Sequence, residues 1–156
     1  MKIGFLAPHN SGKTHLAGHI QDLLSRQQHL PITVINNVAD CFHKKDTLEI
    51  QGKILEKQIN EEWNSSFSGN AHIICDQILL GHYAYYLYLS KISNDKNQIT
   101  YNTPEWAIKN IEREVRNWTF GYEYIFRLDP KEASDRYVVG VDEIIDELVH
   151  KFDLKR

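Results

Sequence analysis

Gly12, Lys13 and Thr14 close the short run APHNSGKT, residues 7 to 14, which follows the apolar segment KIGFLA, residues 2 to 7. A glycine, a lysine and a hydroxyl residue in that order are how a phosphate-binding loop ends. The chemistry has a use for each. Successive backbone N–H groups of such a loop cradle anionic oxygens, and the helix that follows adds the positive end of its dipole. The lysine reaches the β- and γ-phosphates, and the hydroxyl beside it ligates Mg²⁺. Ala7, Pro8, His9, Asn10, Ser11, Gly12, Lys13 and Thr14 are therefore the expected nucleotide contacts. The spacing up to Gly12 is the expected one, but Ala7 stands where the loop usually begins with glycine. Alanine serves there only if its backbone keeps a negative φ, because a methyl group penalises the left-handed region. Pro8, with its fixed φ, stiffens the turn.

A site of this kind also needs an acidic residue at the end of a neighbouring strand, to hold Mg²⁺ directly or through water. The run HIICD, residues 72 to 76, supplies Asp76. The plain alternative is an aspartate that caps the next helix. Asp40 follows the strand-like run ITVI, residues 32 to 35, where a carboxylate could take the proton of an acceptor hydroxyl, or could simply sit in a turn. Asn36 and Asn37 read as turn residues. Gln58 and Glu62 lie four apart on one helical face, as acceptor contacts or as part of a solvated polar face. His9 lies inside the loop and could touch a phosphate, which would make affinity depend on pH. His15 and His19 have the spacing of a metal-binding pair but lack an intervening glutamate and a third ligand, so zinc is not expected. Tyr83, Tyr85, Tyr86 and Tyr88 read as core and interface; base stacking by one of them, or by Trp63 or Trp106, is left unassigned. Arg113 and Arg116 belong to a charged, solvated helical face.

The elements that would position these residues alternate. Residues 2 to 7, 32 to 35, 71 to 76 and 122 to 128 read as strands. Helices are expected over 12 to 28, 46 to 63, from about Leu79 to Leu89, after Pro104, and over 141 to 152. Turns are expected at 65 to 70 and a polar loop at 93 to 98, while YVV, residues 137 to 139, is too short to assign. Alternating strands and helices imply an α/β fold, a parallel sheet with helices on both faces. Ligands of such sheets bind beyond the carboxyl ends of the strands, which is where Ala7, Asn37, Asp76 and Asp129 fall.

With these elements in place the chain resembles the P-loop small-molecule kinases of the nucleotide kinase type. Specifically, it resembles the AAA-type ATPase/kinase family that includes the ribosylnicotinamide kinase domain of NadR. The resemblance rests on APHNSGKT, on the helix GKILEKQINEEW with Gln58 and Glu62, on IICDQILLGHYAYYL and on YEYIFRLDP, and covers about residues 1 to 130. It implies a three-layer P-loop fold with about five parallel strands, ATP·Mg²⁺ as donor and a nucleoside or nucleotide as acceptor. It implies a catalytic role for Lys13 and Asp76, and a lid with catalytic arginines after YEYIFRL. Only DPKEASDR separates that strand from YVV, so Arg136 is the lid candidate and Arg127 the reserve. An Asp-Arg pair often follows the third strand in this family; here it is Asp76-Gln77. Either YVV or the final residues would supply the last strand.

Composition bounds the rest. The 156 residues suit one domain, 42% of them are hydrophobic and 25% charged, and net charge is −3. That balance argues against a partner that is a nucleic acid polymer. No apolar run reaches membrane-spanning length, Met1 leads straight into an apolar strand, and Cys41 and Cys75 have no metal-ligand spacing, which together predict a cytoplasmic protein with reduced thiols. A homodimer is left open. The expected function is ATP-dependent phosphoryl transfer to a small acceptor. The alternatives are a nucleotide-binding sensor or sequestering module with little transfer activity, and a small P-loop ATPase. A GTPase is disfavoured because no NKxD-type element is present; NDKN, residues 94 to 97, does not fit.

Overall fold

In a computed structural model, the structure describes residues 1–27, 31–43, 47–69, 72–95, 104–130 and 136–154. Four strands and five helices follow in the order β1 (Lys2–Leu6), α1 (Lys13–Gln27), β2 (Ile32–Ile35), α2 (Leu48–Phe67), β3 (His72–Cys75), α3 (Leu79–Asp95), α4 (Glu105–Thr119), β4 (Tyr124–Arg127) and α5 (Arg136–Lys151). A single 3-10 turn, Val38–Cys41, lies between β2 and α2.

The sheet is parallel throughout, in the order β2-β3-β1-β4. Alternation along each strand sorts its side chains to two faces. Ile3, Phe5 and Ile74 pack with Ala17 of α1 on one face. Leu6, Ile35, Ile73 and Cys75 join Ile54, Leu79, Tyr83, Val115 and Ile145, from α2 to α5, on the other. Among the described residues α1 alone covers its face and does not reach across β4, where Tyr124 and Phe126 stay 55% and 40% exposed. The expected layering, helices on both faces of a parallel sheet, is thus present. No helix among the described residues is long and apolar enough to cross a membrane.

Three sequence expectations need correction. About five strands were expected, and four are present among the described residues. Tyr137-Val138-Val139 does not form a fifth, because it opens α5: Val138, Val141, Ile145, Leu148 and Phe152 continue one buried stripe at helical spacing. Gly140 lets that helix approach α3, since a Cβ there would stand 2.2 Å from the Tyr88 ring. The helix α2 runs on through Phe67, four residues beyond its expected end, with Ser66 donating to the Glu62 carbonyl at 2.8 Å; the turn comes only at Gly69, with φ +74°. The helix α3 continues to Asp95, into the segment expected as a polar loop; residues 96 to 98 of that loop lie outside the described residues.

Candidate active site

The first loop leaves β1 at Ala7, which is buried. Its backbone is not among the left-handed ones, so the condition on alanine is met: among the described residues, the non-glycine ones with positive φ are Asn10 at 61° and Asp153 at 53°. The left-handed positions of the loop are Asn10 and Gly12, the latter at φ 86°. Asparagine is among the side chains that best tolerate the left-handed region, and glycine does so without cost. Left-handed and ordinary backbone in alternation is the geometry that gathers successive N–H groups into one concavity. The helix ladder begins at once, with Leu16 N donating to Gly12 O at 3.1 Å.

Lys13 is the first residue of α1 and its ammonium folds back into the loop. Its Nζ donates to Pro8 O at 2.6 Å, Ala7 O at 3.1 Å and Ser11 Oγ at 3.3 Å. Ser11 in turn donates to Pro8 O at 2.9 Å. Burial lowers the pKa of Lys13 from 10.5 to about 8; the positive charge of Arg127 acts the same way, and Asp76 and Asp40 oppose it. Asp76, Asp40 and Arg127 thus all act on this ammonium through their charge.

Thr14 Oγ1 donates to Asp76 Oδ2 at 2.6 Å. The sheet fixes that contact. Asp76 N bonds Ile35 O at 2.9 Å and Ile78 N bonds Phe5 O at 3.0 Å, so the chain leaving β3 is pinned between β2 and β1. Asp76 is 2% exposed, and its Oδ1 is buried without a hydrogen-bond partner. A hydroxyl and a carboxylate with an oxygen to spare are hard oxygen donors, the set that suits Mg²⁺ completed by water and phosphate oxygens. The residues fit that ion. The His15 and His19 rings lie 5.3 Å apart on α1.

Asp40 is exposed on the 3-10 turn, whose start is capped by Asn37 Oδ1 accepting from Ala39 N at 3.2 Å. The turn role expected of Asn37 is thus seen. Arg127 ends β4 opposite Leu6, beside the loop, but its guanidinium is tied to α5. It pairs closely with Asp142, reaches Asp146 at 3.4 Å and bonds Leu128 O at 2.5 Å. Arg136 opens α5, and its side chain lies outside the described residues.

Gln58 and Glu62 are a correction. Neither flanks the loop, and neither lies on a solvated face. The outer face of α2 carries the pairs Glu49–Lys53 and Lys57–Glu61, at 2.6 and 3.0 Å. Gln58 and Glu62 point inward, fully buried. Glu62 pairs with Lys2 Nζ at 2.6 Å and accepts from Gln58 Nε2 at 2.6 Å and Trp118 Nε1 at 2.5 Å. Lys2 begins β1, at the opposite end of the strand from Ala7, and its ammonium also lies over the Tyr122 ring, 4.3 Å from the centroid. This is an interior ion pair under the sheet.

Two residues near the loop take places that the sequence left open. Tyr85 of α3 accepts from His9 N at 2.8 Å, and the two rings are 4.7 Å apart. Gln77 is buried directly after Asp76 and, with His9 and Tyr85, lines a small cavity beside the loop. A larger cavity, about 660 Å³, runs along β4 between Phe120, Arg127, Asp146 and Leu154, away from Lys13 and Thr14. Comparison with protein-family models finds no match, and comparison with curated proteins finds no significant relative.

Proposed function

We propose that this chain is a small P-loop kinase, which binds ATP·Mg²⁺ at residues 7 to 14 and transfers the γ-phosphoryl group to a nucleoside- or nucleotide-like acceptor. The observation that carries this reading is the 2.6 Å bond from Thr14 to Asp76, made across two adjacent strand ends with Lys13 in the same loop. A turn that merely contained glycine, lysine and threonine would have no reason to meet a buried carboxylate there.

Thr14 and Asp76 would hold Mg²⁺, which would supply positive charge to offset that of the phosphate groups. Lys13 exchanges its carbonyl partners for phosphate oxygens. An acceptor hydroxyl oxygen forms the new bond to phosphorus as the bond to the bridging oxygen breaks and ADP leaves. The hydroxyl proton goes to Asp40, an exposed carboxylate within electrostatic reach of Lys13. Arg127, released from Asp142, and Arg136 neutralise charge in the transition state. The acceptor is a small molecule, with neither a nucleic acid polymer nor a membrane as partner, and the protein works in the cytoplasm.

A second reading, a nucleotide-binding sensor, is favoured by the ties that hold Arg127 on Asp142 and Asp146. ADP release with Mg²⁺, with and without nucleosides, nucleoside monophosphates and nicotinamide riboside, separates the two. The kinase reading expects turnover that rises with one acceptor and disappears in Lys13→Ala. Tight ATP binding without turnover on any acceptor would leave the sensor. Failure to bind ATP at all would remove both.

A further inference from the structure

Gln77 holds a side-chain amide in the interior with nothing to bond. The residue is 3% exposed, and both Nε2 and Oε1 are buried without a partner. Buried polar groups are nearly always hydrogen-bonded, to protein, to ordered water or to a ligand, so an amide orphaned at both ends calls for a partner. The fold has made room for it. Gly81 stands one helical turn further on, and a Cβ there would fall 1.6 Å from Gln77 Nε2 and 2.7 Å from its Cδ. A poor helix residue therefore sits in the first turn of α3 where the amide rests on bare backbone.

The amide borders a cavity of about 20 Å³ shared with His9, Asn37, Gln51, His82 and Tyr85. That is space for roughly one water, so a ligand would insert a hydrogen-bonding edge there rather than its whole body. His9 belongs to the phosphate loop, and Asn37 caps the turn that carries Asp40. The cavity thus lies between the residues that would hold the donor and the carboxylate that would take the acceptor proton. None of the described residues lining it is lysine or arginine. A phosphate monoester would lose its water there and meet no permanent cation, only the imidazoles of His9 and His82. An amide offers a donor and an acceptor side by side in one plane, and its complement is another edge of that kind.

We propose that Gln77 reads the acceptor, and that the acceptor is uncharged where they meet, presenting the adjacent donor and acceptor of a carboxamide or a nucleobase edge rather than a phosphate. The inference rests on the kinase reading and narrows its acceptor. Calorimetry tests it without turnover. Adenosine, cytidine and nicotinamide riboside, and the 5′-monophosphate of each, are titrated into the protein with Mg²⁺ and a non-hydrolysable ATP analogue, and again without the analogue. At least one unphosphorylated compound is expected to bind tenfold or more tighter than its monophosphate; which one binds tells a carboxamide from a base edge. Gln77→Leu should weaken it at least tenfold and leave analogue affinity unchanged. Gly81→Ala, which displaces the amide without removing it, should do the same, and thermal melts check that both variants fold. Tighter binding of monophosphates, acceptor affinity within twofold in Gln77→Leu, or no acceptor binding where the analogue binds would each overturn the assignment of Gln77. Failure of the analogue itself would instead overturn the nucleotide reading, and the titrations without it would still decide what Gln77 reads.

Discussion

Lys13 has three oxygen partners and still releases its proton early, because burial outweighs them. Its pKa near 8 in the folded chain lies below the ordinary 10.5, so between those values the unfolded chain holds more protons. Burying the charged amine therefore weighs against folding below pH 8, and that penalty is relieved as pH rises from about 8 toward 10.5. A polyphosphate beside the ammonium pushes the other way and raises its pKa. ATP binding at pH 8.5 should then take up protons, seen as a heat that changes with the ionisation enthalpy of the buffer. Affinity should fall by up to about tenfold per pH unit above pH 8. Proton release, or no buffer dependence, would mean that the ammonium does not meet the phosphates. Glu62 gives a contrasting case. Glu62→Ala strands the ammonium of Lys2 and the donors of Gln58 and Trp118, and should cost about 3–5 kcal/mol in urea unfolding. Nucleotide affinity should not change, because the pair lies at the far end of β1; a selective loss of affinity would return Glu62 to the site.

Helices set the second scale, where two glycines inside helices make opposite predictions. At Gly140 a Cβ would meet the Tyr88 ring at 2.2 Å, while at Gly52 nothing lies within 4 Å. Gly140→Ala should push α5 off α3 and destabilise by about 1–3 kcal/mol, despite the better helix propensity of alanine. Gly52→Ala in α2 should stabilise by about 0.5–1 kcal/mol. Paired thermal melts read both, and a stabilised Gly140→Ala would show that α5 is not held by that contact. The same contrast shows how far a sequence carries. KIGFL, ITVI and HIIC are short apolar runs bounded by turn residues, so strands and their order are legible. Tyr137-Val138-Val139 is equally β-branched and apolar, yet it is helical, because its neighbours down to Phe152 extend one buried stripe. Pattern within three residues cannot show that.

Across the whole molecule, the approach of the first loop to Asp76 was legible, because each sits where a strand ends and a parallel sheet brings strand ends together. Gln58 and Glu62 were misplaced because helical spacing tells which residues share a face, not which end of the sheet that face meets. Gln77 and Tyr85 were named in the sequence but their contacts were not legible, because these depend on where α3 packs, which no spacing reveals. The inward fold of Lys13 has a last consequence. The loop is cross-braced by its own side chains, through Lys13 on Ala7 and Pro8, Ser11 on Pro8 and Thr14 on Asp76. Its shape is then a property of the resting protein and not a gift of the ligand, and little ordering is left for binding to impose. Deuterium exchange follows directly: the amides of His9 and Leu16, bonded to Tyr85 and to Gly12 O, should already be protected without nucleotide and gain little from it. Rapid exchange that slows only when ATP is added would mean that the ligand, and not the chain, builds the loop.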